Sequence, residues 1–211
     1  AKGIDTLPLL YPYYERRTKV EDNVHHHMMK LFREYLAVGG MPQAVLKYVE
    51  GENYQTIDKV KRDIIQLYLD DFRKMDPSGK LGRFYLAIPS ELSSQSTRYK
   101  ITGITSNGRL KRERESFYNL EDSQTVQICQ HISDPRVGLT TTIDKDFFKM
   151  FTEDTGLFVT LCFYDKQFSE NIIYQKLVSG RLSANLGYVY ENAVAQALTA
   201  IGFKLYYHTF K

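Results

Sequence analysis

The segment from Ile88 to Lys149 constrains the fold most strongly, because helical and strand-like patterns follow each other closely within it. Ile88–Ser93 has the composition of a short capped helix, and a basic helix is predicted from Arg109 to Asp122. Two β-rich runs come next, at Thr125–Ile132 and Val137–Ile143. The order helix, helix, strand, strand predicts a module in which helices pack beside a two-stranded ribbon.

This order is that of a winged helix, whose last helix can enter the major groove of duplex nucleic acid. Basic residues on the predicted helix and ribbon would then contact phosphates or base edges: Arg109, Lys111, Arg112, Arg114 and Arg136. The alternative is a solvated helix face, because acidic residues on the same helix nearly cancel its charge. Winged helices also hold neighbouring domains together, and a net charge of +3 does not decide between these functions.

A tight corner between two helices is predicted near residue 40. An apolar stripe predicts a helix from His26 to Val38, which Gly39 ends in a left-handed cap. Pro42 then begins the next helix at a position where its missing amide hydrogen is not needed. Residues 1–24, by contrast, show little periodicity and predict an irregular lead-in.

The remaining elements are predicted from periodicity and capping residues. The longest helix is expected from Thr56 to Met75, with Lys61 on its solvated side. Asp154 is predicted to be the N-cap of a later short helix. A last helix is expected at about Ala184–Ile201, followed by a strand at Phe203–Tyr207.

The chain has 211 residues, of which 43% are hydrophobic, and these values predict a folded protein with a substantial core. Cys129 and Cys162 have no CxxC spacing and are expected to be buried thiols in a reducing compartment. We therefore expect a cytoplasmic protein. No apolar run reaches the length that spans a bilayer, so no membrane partner is expected.

The sequence lacks the common motifs for nucleotide and metal binding. A P-loop requires G-x-x-x-x-G-K-[ST], but around Gly79-Lys80 the first glycine is replaced by Lys74 and the hydroxyl residue by Leu81. The adjacent residues His25-His26-His27 would point about 100° apart on a helix, so they cannot all face one ion. We expect no cofactor, no metal and no enzymatic activity in this chain itself.

Four stretches carry a family resemblance, and they are Phe32–Val45, Ile65–Phe72, Phe148–Leu157 and Tyr190–Gln196. With them the chain resembles the domain that follows the ATPase core in many bacterial and archaeal AAA-type ATP-binding proteins. The stretches occur in the family's order and cover most of the chain between residues 32 and 196. The first stretch, which contains Gly39-Gly40-Met41-Pro42, is the most specific.

The resemblance implies an ATPase motor upstream, then a helical segment and a winged helix, and then a domain similar to PD-(D/E)xK nucleases. We therefore expect a mainly α, α+β fold in three parts. These are a helical lead-in from the ATPase side (1–78), a winged-helix-like domain with a β ribbon (79–150), and the beginning of a truncated nuclease-like α/β domain (151–211).

The implied function is that of the non-catalytic C-terminal region of an AAA-type ATP-binding protein, which binds DNA or docks onto the motor. The implied partners are the upstream ATPase domain of the same protein, where ATP and Mg²⁺ would bind, and duplex DNA.

The alternative function is part of a metal-dependent PD-(D/E)xK-like nuclease. The first helix of that fold often carries a glutamate, and Glu191 lies in the matching helix. The later acidic residue and the E-x-K motif that would complete the metal site would lie beyond Lys211. Glu191 is therefore the candidate catalytic residue of a site that this chain would hold only in part.

Overall fold

The fold is known from a computed structural model, which describes residues 6–94, 98–100, 110–179 and 187–209. It is mainly helical with one small sheet, so the expected mainly α, α+β class is confirmed. Among the described residues, no helix has both the length and the apolar character required to cross a bilayer.

The described elements follow in this order along the chain. The helices are α1 (Leu7–Arg16), α2 (Asp22–Val38), α3 (Pro42–Val49), α4 (Tyr54–Met75), α5 (Lys80–Ser93), α6 (Leu110–Asp122), α7 (Thr155–Leu161), α8 (Ile172–Val178) and α9 (Gly187–Ala200). The strands are β1 (Val126–Ile132), β2 (Ile143–Thr152) and β3 (Tyr206–Tyr207), and short 3-10 turns lie at Leu139–Thr141 and Phe168–Glu170.

The predicted corner near residue 40 is confirmed, although the lead-in is not irregular. Gly39 ends α2 with φ of 82°, and Pro42 begins α3. The ψ angle of Gly39 is −165°, so Gly39 lies outside the left-handed helical region that was predicted for this cap. Its conformation is essentially restricted to glycine. Residues 7–16 form α1, with Pro8 in the first turn, where no amide hydrogen is needed, and Pro12 inside the helix.

Helix α5 runs without interruption through Pro89, whereas the sequence predicted that a separate short helix begins at Ile88. Proline in a helix interior loses one hydrogen bond and costs about 3 kcal/mol. A continuous buried stripe of large apolar side chains offsets this cost, since each contributes about 1.5–3 kcal/mol. The stripe consists of Leu81, Phe84, Tyr85, Ile88 and Leu92.

The sheet has the order β2-β1-β3, with β2 antiparallel and β3 parallel to β1. The strand predicted at Val137–Ile143 is wrong, because residues 137–142 form the loop and 3-10 turn that precede β2, and only Ile143 belongs to that strand. Pairing from Val126 opposite Thr152 to Ile132 opposite Ile143 buries Phe148 and Met150. The apolar side chains of β2 therefore decide the register.

One apolar core includes residues from each of the three predicted parts of the chain, among them Leu36, Phe117 and Ala193. Strand β3 pairs with β1 instead of beginning a sheet of its own. Helix α9 contacts both α7 and β2. The C-terminal segment is consequently joined to the same core as the helices before it.

Candidate functional site

The basic residues predicted to contact nucleic acid have been placed only in part. Arg109 lies outside the described residues, and Lys111 and Arg112 lie on α6 with side chains that are also outside the described part. The Arg114 guanidinium lies 3.2 Å from a carboxylate oxygen of Asp146 on β2. Contact between these cations and DNA stays a prediction.

Arg136 lies in the loop between β1 and β2, beside Asp134. Its Nε donates to one carboxylate oxygen at 3.1 Å and its Nη2 to the other at 3.3 Å. Hydrogen bonds from the Arg136 side chain and amide lower the pKa of Asp134. Arg114 and Arg136, the predicted contacts whose side chains are described, therefore each have a carboxylate partner within the protein.

Glu191, the candidate nuclease residue, lies on the exposed side of α9. Its carboxylate is 3.3 Å from Lys149 Nζ, and its side chain is 52% exposed. In the described parts of the chain, no three His, Cys, Asp or Glu side chains come close enough together to hold a metal ion. The three adjacent histidines at the beginning of α2 are exposed.

A buried polar junction forms instead where three of the resemblance stretches meet. Asp154 caps α7, as predicted, because its Oδ1 accepts from the Leu157 amide at 2.7 Å. Its Oδ2 accepts from the amide of Gly40, at the corner between α2 and α3. Burial raises the pKa of Asp154, although both amides and the nearby Lys61 ammonium act in the opposite direction.

The backbones of two helices touch within this junction. A Cβ atom added to Gly156 would lie 2.4 Å from the Val38 carbonyl oxygen and 2.5 Å from Gly39 Cα. One added to Gly39 would lie 2.3 Å from Asp154 Oδ1. Both positions therefore require glycine, so that the end of α2 can lie directly against the first turn of α7.

Two amide side chains of α9 complete the junction. Asn192 Oδ1 accepts from the Thr152 amide at 2.9 Å, and its Nδ2 donates to the Thr152 carbonyl and to Thr155 Oγ1 at 3.2 Å. Gln196 Oε1 accepts from the amide and the hydroxyl of Thr155. These bonds connect α9 to the segment that leads from β2 into α7.

Lys61 lies at the centre of the junction and is fully buried, so the prediction of a solvated side chain is wrong. Its Nζ donates to the Ala37 carbonyl at 2.6 Å and the Gly156 carbonyl at 3.3 Å, and it lies 4.7 Å from the centroid of the Tyr174 ring. Burial lowers the pKa of Lys61 to about 8. Lys61 lies four residues after Ile57 and three before Ile64, which are both buried, so this spacing places it on the buried face of α4. The spacing is visible in the sequence and could have predicted its burial.

A second polar contact joins α4 and α7 next to Lys61. Asp58 is 1% exposed, accepts from Thr160 Oγ1 at 2.7 Å, and accepts from Arg62 Nε at the same distance. Arg62 also donates to the carbonyls of Phe163 and Tyr164, just beyond the end of α7. The buried Asp58 charge is thus both paired and hydrogen-bonded, as a buried carboxylate must be.

The junction stabilises the fold and offers no access to a substrate. Its ionisable groups, Lys61, Asp58 and Asp154, are each at most 1% exposed, and their polar atoms contact the protein's own backbone and side chains. Residues of three resemblance stretches, together with Lys61 and Asp58 of α4, therefore hold α2, α4, α7 and α9 together.

We expect Asn192→Ala to lower the free energy of unfolding by about 2–4 kcal/mol, because it leaves the buried Thr152 amide without its acceptor. Urea unfolding followed by circular dichroism measures this change. Glu191→Ala is the matched control on the same helix, and its exposed ion pair is worth about 1 kcal/mol or less. Equal effects of the two substitutions would contradict the role given to Asn192.

Comparisons with curated proteins and with solved structures give no match. Residues 29–168, about two thirds of the chain, match a family described as a domain of unknown function. The matched region extends from α2 past α7 and contains Gly39, Lys61 and Asp154, on which the junction depends. The chain thus belongs to the domain family of unknown function DUF8612.

Proposed function

We propose that this chain is the non-catalytic C-terminal region of an AAA-type ATP-binding protein, and that it docks onto the ATPase domain of the same protein. In this proposal residues 79–150 form the winged-helix-like part of the docking module. The ATPase parent is implied by the family resemblance. Docking is favoured over DNA binding by a feature of α1 and by the pairing of Arg114 on α6.

That feature is an exposed apolar stripe on α1. Leu7, Tyr11 and Tyr14 are spaced i, i+4 and i+7, so they share one face of the helix. Their exposed fractions are 71%, 56% and 80%, and no residue of α1 is buried. Tyrosine is enriched in the centres of protein interfaces, where its ring is buried and its hydroxyl finds a partner.

The described cations of the winged-helix-like part favour docking as well. A DNA-reading helix would present several unpaired cations to the phosphates. Arg114 instead pairs with Asp146, while the buried carboxylate of Glu113, its neighbour on α6, pairs with Lys80. Releasing Arg114 to bind a phosphate would break an ion pair that joins α6 to the sheet.

Docking is tested by measuring association between this chain and the separately prepared ATPase domain of its parent protein, using isothermal titration calorimetry. We expect binding that a Tyr11→Ser, Tyr14→Ser double variant weakens at least tenfold, because buried aromatic anchors dominate interface energies. Val194→Ser is the control, since Val194 is 56% exposed on α9 and belongs neither to the α1 stripe nor to residues 79–150.

The result that contradicts docking through α1 is no association, or association that the double variant retains. A parent sequence without a P-loop domain would contradict the ATPase assignment directly. Fluorescence anisotropy with a labelled duplex at two salt concentrations tests the DNA alternative. Salt-sensitive binding that an Arg109/Lys111/Arg112/Arg114→Ala variant loses would establish the chain as a DNA reader instead.

A further inference from the structure

A groove of about 650 Å³ lies beside β1, where it is lined by Val126–Ile128 and Gln130 and also by Ile143 at the beginning of β2. The end of α6 borders it with Glu121 and Gln124, and the segment from α9 to β3 borders it with Thr199 and Phe203. This volume is within the usual range of ligand-binding sites in proteins. None of its lining residues belongs to the α1 stripe or is Asp154, Lys61, Asn192 or Gln196 of the buried junction.

Within the described part of the chain, the edge of β1 that faces the groove has backbone groups without a hydrogen-bond partner. Strand β3 pairs with β1 at Gln130 and His131, and Gln130 donates its amide hydrogen to the Leu205 carbonyl. Because strand backbone groups alternate in direction, the N–H and C=O groups of Val126 and Ile128 point to this same edge. Among the described residues, no other backbone group pairs with the edge at these two positions.

Two residues that line the groove have buried side-chain polar atoms without partners. Gln127 is 6% exposed, and in the described structure neither its Oε1 nor its Nε2 forms a hydrogen bond. Thr199 also lines the groove, and its buried Oγ1 is likewise unpartnered among the described residues. An unsatisfied buried polar group costs about 1–3 kcal/mol, so a site that concentrates several of them is suited to a polar ligand.

The primary amide of Gln127 has one acceptor and two donor hydrogens, and so can bond to both the N–H and the C=O of a peptide group. Ile128, Ile143 and Phe203 supply apolar surface on either side of the strand edge. The charged residues of the groove are Glu121, Glu153 and Lys204, which leaves an excess of one carboxylate.

We infer that this groove binds an extended peptide segment with a basic side chain, which adds to the sheet along Val126–Ile128. The peptide backbone bonds to the open edge of β1 and to the amide of Gln127. Its basic side chain lies near Glu121 or Glu153. Addition of a strand to an open sheet edge is a general mode of peptide recognition, in which backbone bonds give affinity and side-chain contacts give specificity.

The experiment begins with selection of random octapeptides, displayed on phage, against the whole chain. The selected peptide is synthesised with a fluorescent label, and its binding is measured by anisotropy. We expect enrichment of peptides with alternating apolar residues and at least one Arg or Lys. Methylation of alternate peptide nitrogens removes the backbone donors and should weaken binding at least tenfold.

The matched protein variant is Gln127→Leu, which keeps the approximate side-chain size and removes the amide. We expect it to weaken peptide binding at least tenfold. Without peptide, it should raise Tm by about 2–4 °C, because an unsatisfied buried polar group has been replaced by an apolar one. If Gln127 served the fold alone, its substitution would not raise Tm and weaken peptide binding at the same time. Val194→Ser, at an exposed position on α9 outside the groove, should bind peptide normally.

Several outcomes would overturn the inference. Failure to select any peptide is one, and binding that survives both Gln127→Leu and peptide N-methylation is another. Light scattering that shows a dimer abolished by Gln127→Leu would mean that a second copy of the chain occupies the groove. The test is independent of the docking experiment, because the groove does not include the α1 stripe.

Discussion

Gly156→Ala is expected to lower the free energy of unfolding by about 4 kcal/mol or more. The added methyl group would lie 2.4 Å from the Val38 carbonyl oxygen and 2.5 Å from Gly39 Cα, and both are backbone atoms that cannot rotate away. The end of α2 would have to separate from α7, which would stretch the hydrogen bond between Gly40 and Asp154. Losses of this size are typical of overpacking combined with the disruption of a buried polar network.

Thermal or urea unfolding of the purified variant measures the loss. Gly187→Ala is the control, because Gly187 also lies in the first turn of a helix and a Cβ atom there would have no neighbour within 4 Å. The control should be neutral or slightly stabilising, since alanine has a higher helix propensity than glycine. A Gly156→Ala protein that is as stable as the control would show that α2 and α7 do not lie this close together.

Lys61→Met is expected to remove a pH-dependent part of the stability, worth about 3 kcal/mol between pH 8 and pH 10.5. The pKa of Lys61 is about 8 in the folded protein, against a value of 10.5 for an unperturbed lysine. A shift of one pKa unit corresponds to about 1.4 kcal/mol. The cause is burial, which makes the charged ammonium less stable in the protein interior than in water.

The direction of the effect follows from proton binding. Below pH 8 both the folded and the unfolded chain carry the proton on Lys61. Between pH 8 and 10.5 the folded protein releases it, while the unfolded chain still binds it. Because the unfolded state then binds more protons, the stability of the wild-type protein relative to Lys61→Met rises as the pH increases through this window.

The measurement is the difference in unfolding free energy between the two proteins at pH 7.5, 9 and 10.5. Taking the difference is necessary because burial also raises the pKa of Tyr85 and Tyr174 in the folded protein. In alkali these tyrosines ionise first in the unfolded chain, which lowers the stability of both proteins. Lys59→Met is the control, since Lys59 lies on the exposed side of the same helix. A constant difference across this pH range would contradict the burial of a charged Lys61.

Features that depend on a few neighbouring residues were predicted from the sequence. The Asp154 cap, the end of α2 at Gly39 and the beginning of α3 at Pro42 are all present in the structure. Each depends on a capping side chain, a proline ring or the wider backbone freedom of glycine, and each acts within about one helical turn. Periodicity likewise placed the end of α6 at Asp122, as the structure has it.

Two element boundaries were predicted wrongly because local composition and tertiary contacts favour different structures there. Pro89 suggested a helix boundary inside α5, but burial of the apolar stripe around it keeps the helix continuous. Val137 and the residues after it have strand-like composition, yet the pairing partner of β1 begins at Ile143. A local pattern carries no information about which of two neighbouring apolar runs pairs better.

The polar sites were also beyond local prediction. The carbonyl groups that hold Lys61 belong to Ala37 and Gly156, which lie 24 and 95 residues away along the chain. The amide of Gln127, which has no hydrogen-bond partner among the described residues, is buried only because the chain folds around β1. The sequence alone does not predict this burial. The predicted nucleic-acid residues were chosen by residue type and position on a helix or ribbon, and Glu191 was chosen by the family resemblance. Neither basis shows that Arg114, Arg136 and Glu191 lie beside Asp146, Asp134 and Lys149, respectively.

The amino-acid sequence by itself determined the mainly helical α+β class, the caps and the tight corner, because hydrophobic periodicity and capping act over short distances along the chain. Only the tertiary structure decided which lysine is buried, which run becomes β2, and which edge of the sheet is left open. These features depend on contacts between residues far apart in sequence, where the free energy of burial outweighs local preference.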